Sequence, residues 1–263
     1  LPNIAALSDA QCDQLRAYVR GGGSLIATHE TSLYDEWGVR RKDFGLADVF
    51  GAAFEGKVDA RVQNSYINLA PPHPLLRGLE DAGRIINGVS RVYTRSTRGG
   101  TAPMTLVPSY PDLPMEDVYP RIPRTDVPAV HIVESGKSRV IYFPWDIDRT
   151  FWEILAKDHL MLLRNSVEWA LAGRSPVSVT GRGVLDVTVW RQRSSVTVHL
   201  VNLTNPMMMK GPVREVYPVG PQQVRLHAPG KAKSVRLCVA GRAVPFKVEG
   251  ETIQFEIPSV EVH

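Results

Sequence analysis

Four ionisable residues, His29, Glu30, Asp35 and Glu36, fall within eight positions directly after the apolar run SLIAT, in the stretch GGGSLIATHETSLYDEWGVRRKDFG. A second group, Asp146, Asp148 and Arg149, follows the apolar run VIYFPW. Acids and a histidine at strand ends suit three kinds of chemistry. A metal centre needs three or more converging ligands, and the sequence has no H-E-x-x-H. Glycoside hydrolysis needs two carboxyl groups about 5–9.5 Å apart across a sugar. Glu30, Asp35, Glu36, Asp146 and Asp148 supply the acids, and Tyr34, Trp37, Trp145, Phe151 and Trp152 stand beside them in sequence. Nucleophilic catalysis needs an elbow such as G-x-S-x-G between strand and helix, and none occurs. Against all three stands the structural alternative, in which loop acids cap helices or pair with Arg40, Arg41 and Arg149.

The elements that position these residues are readable in part. Ser8 and Gln11 have capping-box spacing, which satisfies free N–H groups at a helix start. Cys12, Leu15, Tyr18 and Val19 recur at helical spacing, so that face is expected in the core. Gly21-Gly22-Gly23 ends the helix, and SLIAT reads as a strand covered on both faces. Helix, glycine turn and buried strand make half of a doubly wound α/β unit. PAVHIVESGKSRVIYFPWD reads as a hairpin turning at Ser135-Gly136-Lys137. DHLMLLRNSVEWALAG reads as an amphipathic helix with Leu160, Leu163, Val167 and Leu171 on its core face. LADVFGAAF reads as a short helix or turn, and the rest of residues 46–128 gives little signal. Proline density from Pro103 to Pro128 makes that stretch mostly loop.

Composition changes after Gly173. RSPVSVTGRG reads as a linker. Short alternating runs follow (VLDVTVWRQ, SVTVHLVNL, QQVRLHAP, SVRLCVAG, VPFKVEG, TIQFEIP), the pattern of an antiparallel β-sandwich. The expected domains are 1–174, α/β, and 175–263, all-β.

Bulk properties exclude more than they assign. The chain has 263 residues, 43% hydrophobic and 22% charged, ordinary for a globular protein. The net charge is +4, and no basic run exceeds Arg40-Arg41-Lys42, so nothing marks a nucleic-acid face. No apolar run approaches the ~18 residues of a membrane span. Cys12 and Cys238 share no metal or redox spacing and are expected as two buried thiols. GRG and GGG match no phosphate or dinucleotide loop, so no cofactor is implied. The termini read as cut, with a strand expected ahead of LPNIAAL. No feature assigns a compartment.

LPN before the helix, LRAYVRGGGSLIAT, the TSLYDEWG loop and FGLADVFG together resemble the middle, trimerisation domain of family 42 β-galactosidases and related bacterial glycosidases. VIYFPWDIDRTFWE…HLMLLRNSVEWA is similar to the closing strand and helix of that domain. VHLVNLTNP and RLCVAGRAVPFKVEG are similar to the C-terminal sandwich of the same proteins. The resemblance implies a class I glutamine-amidotransferase-like, flavodoxin-like fold without the amidotransferase cysteine, N-terminally incomplete here. It implies catalytic acids on a missing N-terminal (β/α)8 barrel, none in this chain, and a homo-oligomer. In that setting His29, Glu30, Asp35, Glu36, Trp37, Asp146, Asp148 and Arg149 become a ligand- or interface-loop that could wall a sugar pocket. The alternative is an autonomous ThuA-like, sugar-binding or hydrolytic protein with its site at His29, Glu30, Asp35, Asp146 and Asp148.

Overall fold

The computed structural model describes residues 1–98, 102–205, 215–228 and 232–263. The chain forms two compact units, Leu1–Gly173 and Arg174–His263. Among the described residues no helix is long and apolar enough to cross a membrane.

In the first unit the order is α1 (Asp9–Arg20), β1 (Leu25–Thr28), α2 (Ala47–Phe50), β2 (Ala52–Asp59), β3 (Tyr66–Leu69), β4 (Arg84–Ile86), β5 (Arg91–Ser96), β6 (Met104–Val107), β7 (His131–Ser135), β8 (Ser138–Phe143), α3 (Ile147–Ile154) and α4 (Lys157–Leu171). β1 pairs in parallel with β8, Leu25 opposite Val140 and Thr28 opposite Phe143, and β7 closes this sheet as the antiparallel partner of β8. Leu1 lies along the outer edge of β1: its nitrogen donates to the Ile26 carbonyl at 2.8 Å, and its carbonyl accepts from Thr28 N. The weakly patterned middle region holds two further antiparallel sheets, β2–β5 and β4–β3–β6. Two apolar clusters carry the unit. One gathers Ile67, Leu75, Ile85, Met104, Ile141, Phe143, Trp145 and Leu162. The other gathers Cys12, Leu25, Leu33, Phe44, Phe50, Val92 and Tyr142.

The capping box forms as the sequence dictates, Ser8 Oγ accepting from Gln11 N and the Gln11 side chain from Ser8 N. The helix faces need correction. On α1 only Cys12 is buried, and Tyr18 is exposed. Its ring covers Gly23, where a Cβ would lie 2.3 Å from the ring. On α4 the buried face is His159, Leu162, Asn165, Ser166, Trp169 and Ala170. Leu160 and Val167, expected inside, are each 48% exposed. The buried polar residues are tolerated because each reaches a main-chain carbonyl: His159 bonds to Ile86, Asn165 to Leu75 and Arg77, Ser166 to Leu162.

The second unit contains β9 (Val177–Thr180), β10 (Leu185–Arg191), β11 (Val196–Asn202), β12 (Gln222–His227), β13 (Val235–Leu237), β14 (Arg242–Val244), β15 (Phe246–Glu249) and β16 (Thr252–Ile257). A four-stranded antiparallel sheet, β15–β16–β12–β9, packs on the β10–β11 pair through Leu200, Val224, Val187, Val198 and Phe255. Two points differ from the sequence reading. The supposed linker contains β9, which pairs with β12. Cys238 is exposed in the turn after β13 rather than buried. Pro206, which ends VHLVNLTNP, lies outside the described residues.

Candidate functional site

Because β1 and β8 are parallel neighbours, the residues following each emerge side by side at their carboxyl ends, the edge where α/β sheets bind ligands. His29 N bonds to the Phe143 carbonyl, extending the pairing by one step, and His29 itself adopts φ +51°. This brings the two acid-bearing segments together.

At the base of the first loop His29 is 5% exposed. Its Nε2 lies 2.8 Å from Ser90 Oγ. Ser90 Oγ donates its single hydrogen to the Asp59 carbonyl at 3.0 Å, so it accepts from a protonated Nε2 of His29. The neutral ring then presents a bare Nδ1, 3.8 Å from Glu30 Oε2. Burial lowers the His29 pKa, opposed by the charges of Glu30, Asp146 and Asp148. Tyr142, fully buried, donates from its hydroxyl to the His29 carbonyl at 2.5 Å. Burial also raises that phenol's pKa well above its ordinary value. Glu30 Oε1 accepts from the Tyr34 hydroxyl at 3.0 Å.

Asp146, 3% exposed at the start of α3, accepts from Ser90 N at 3.0 Å and from Thr150 Oγ1 at 3.4 Å, both through Oδ1. Gly88 makes room for it: a Cβ there would stand 2.1 Å from Asp146 Oδ1. Asp148 Oδ2 accepts from Thr28 Oγ1 at 3.1 Å. Asp146 Oδ2, Asp148 Oδ1 and His29 Nδ1 have no hydrogen-bond partner and no accessible surface, so a substrate cannot touch them in this conformation.

His29, Glu30, Asp146 and Asp148 are thus brought together. Asp35 is not. Its Oδ1 accepts from Trp37 N and Val39 N, folding it into its own turn. Glu36 and Trp37 stand exposed at the tip of that turn. The arginines form no direct ion pair with these acids, although the Arg149 charge is felt by Asp146. Arg149 pairs with Glu153, Arg41 pairs with Asp9, and Arg40 lies over the Phe54 ring.

Ser90 was not visible as a candidate, since nothing in GVSRVYT distinguishes it. Beside histidine and acid it resembles a nucleophile, but the hydrogen-bond direction is wrong: a general base must accept the serine proton, and here it goes to a carbonyl. Equally hidden were Arg91 and His131. Arg91 is buried, donates to the Pro128 carbonyl, and has its pKa lowered to about 10 by burial. His131 bonds Thr94 Oγ1 through Nε2 at 2.8 Å. Its pKa is lowered to about 4, by burial first and then by Arg91. Among the described residues no three His, Cys, Asp or Glu side chains are placed to hold a metal ion.

A mixed α/β unit followed by a β-sandwich is the fold of the C-terminal portion of certain bacterial glycosidases. α-L-Fucosidase isoenzyme 2 of Paenibacillus thiaminolyticus matches with TM-score 0.71 at 18% identity, over 100% of this chain and 39% of its own. The β-galactosidase of Bacillus circulans sp. alkalophilus matches at 0.59 and 12%, over 96% and 32%. Gan42B, a GH42 β-galactosidase, matches at 0.56 and 15%, over 97% and 31%. The chain therefore spans well under half the length of these proteins. No protein-family model and no curated protein sequence matches it.

Proposed function

We propose that the chain is the non-catalytic C-terminal region of a bacterial glycoside hydrolase of β-galactosidase type. In this reading residues 1–174 are a trimerisation-like domain of class I glutamine-amidotransferase, flavodoxin-like ancestry, and residues 175–263 are its companion sandwich. The catalytic acids belong to a (β/α)8 barrel of the same polypeptide, and this region serves homo-oligomeric assembly and shapes the surround of the active site. The observation that carries the reading is the coverage: 96–100% of this chain matches, against 31–39% of the three glycosidases. One feature supports it. The Asp146 and Asp148 carboxylates are occupied by Ser90, Thr150 and Thr28 rather than open to a sugar.

The purified chain should not hydrolyse nitrophenyl glycosides. Turnover abolished by Glu30→Gln or Asp148→Asn would overturn the reading in favour of an autonomous hydrolase.

A further inference from the structure

Asn87-Gly88 is the single Asn-Gly step of the sequence. In an unfolded chain such a step is chemically labile, because glycine has no side chain to keep its nitrogen from reaching the asparagine Cγ. Here the fold holds the step still. It continues the β3–β4 pairing, in which Tyr66 stands opposite Ile86. Asn87 is 4% exposed, and its N donates to the Ser65 carbonyl at 3.2 Å. Ser65 Oγ donates its one hydrogen to the Val107 carbonyl at 2.6 Å, so it accepts from Asn87 Nδ2 at 3.0 Å. That bond fixes the orientation of the amide and leaves Oδ1 to accept from Gly88 N at 2.9 Å. Just beyond, the Val89 carbonyl accepts from Val62 N at 2.7 Å. The reactive nitrogen therefore points its hydrogen at Oδ1. Attack needs that bond broken and the side chain swung until Cγ faces the nitrogen.

We propose that Asn87-Gly88 is a conformationally gated deamidation site: inert while the β3–β4 end is closed, reactive when it opens, and unable to close again afterwards. On opening, Gly88 N loses its proton and forms a bond to Asn87 Cγ. The Cγ–Nδ2 bond breaks, and Nδ2 leaves as ammonia with a proton in place of the lost bond. Water then opens the resulting succinimide at either carbonyl, giving aspartate or isoaspartate at position 87. Neither product fits the closed site. Aspartate has no Nδ2 hydrogen for Ser65 Oγ, whose own hydrogen is committed to Val107. It also adds a buried carboxylate one residue from Gly88, against which the Asp146 carboxylate is packed. Isoaspartate lengthens the main chain just before Ser90, which holds both His29 and Asp146. Transient openings are thereby recorded as permanent loss of the native state. The proposal stands apart from the glycosidase reading, since it rests only on this step and its bonds.

The test incubates the 263-residue chain in mildly alkaline buffer, folded and in guanidinium, and follows the tryptic peptide Ile85–Arg91 by mass spectrometry. Conversion of its amide to acid should be faster in guanidinium by about tenfold or more, the factor that an opening of about 1.4 kcal/mol imposes. Ser65→Ala removes the clamp on Nδ2, so it should speed conversion of the folded chain and leave the rate in guanidinium unchanged. The Asn87→Asp chain, made directly, should unfold at lower denaturant than the wild type. Equal rates in the two states overturn the gate, and no conversion in guanidinium overturns the site. An Asn87→Asp chain as stable as the wild type overturns the irreversible outcome. The comparison of folded and unfolded wild type decides the gate even where Ser65→Ala fails to fold.

Discussion

The loop after β1 has a base and a tip, and the two are built on opposite terms. At the base, His29 and Ser32 are buried, and a chain of bonds runs from the Asp59 carbonyl through Ser90 to His29, with Asp146 holding Ser90 from the other side. At the tip, Asp35 organises a turn whose outward residues, Glu36, Trp37 and Val39, are all exposed. Polar residues a few positions apart in sequence thus do different work. Those at the base are spent on the fold. At the tip Asp35 is spent on the turn itself, and Glu36 and Trp37 are left facing outward.

The strongest test of this division is acid. His131, stacked under Tyr142, has a folded pKa of about 4 against an unfolded value of about 6.5. The unfolded chain therefore binds a proton that the folded chain refuses. The contribution is complete above about pH 6.5, and about 3 kcal/mol is lost as pH falls to about 4. The lowered pKa of His29 acts in the same direction. Chemical denaturation at pH 7 and pH 4 should show a loss that His131→Gln reduces. Hydrogen exchange should quicken at residues 29–32 before residues 35–39. The reverse order would break the division.

Next in size is Asp146→Ala. Removing a buried charged acceptor leaves Ser90 N and Thr150 Oγ1 without their partner and should cost about 2 kcal/mol. Asp146→Asn keeps an oxygen in reach and should recover part of it. Denaturant midpoints decide the matter, and a loss below that of Asp35→Ala would mean the base is not the structural end. Asp35→Ala should be the mildest, about 0.5–1 kcal/mol, with raised exchange confined to the tip.

Some of this was legible in the sequence. The Ser8–Gln11 box, the SLIAT strand and the hairpin around Gly136 are local signals, and local physics decides them. The face of α4 was misread because the most apolar stripe, Leu160 and Val167, points outward, while Asn165 and Ser166 are buried at the cost of bonds to distant or preceding carbonyls. Such satisfaction is a tertiary fact with no periodic trace. Ser90 escaped for the same reason: its neighbours His29, Asp59 and Asp146 lie 31 or more residues away in sequence. The juxtaposition of His29 with Asp146 was predictable from two buried strands ending alike. The turning away of Asp35 was not, since an acid two residues before a main-chain N–H has a local choice that spacing alone leaves open.

Gly88 carries a consequence for how this protein can change. The space its missing side chain leaves is filled by the Asp146 carboxylate, so a change at either position is felt at the other. A lineage that acquires alanine at 88 first meets a collision. One that shortens 146 first must pass through a protein whose Ser90 amide is orphaned. Both single steps are downhill, and a change at either place persists only if the other follows. Related chains that depart from glycine at 88 should therefore also depart from aspartate at 146.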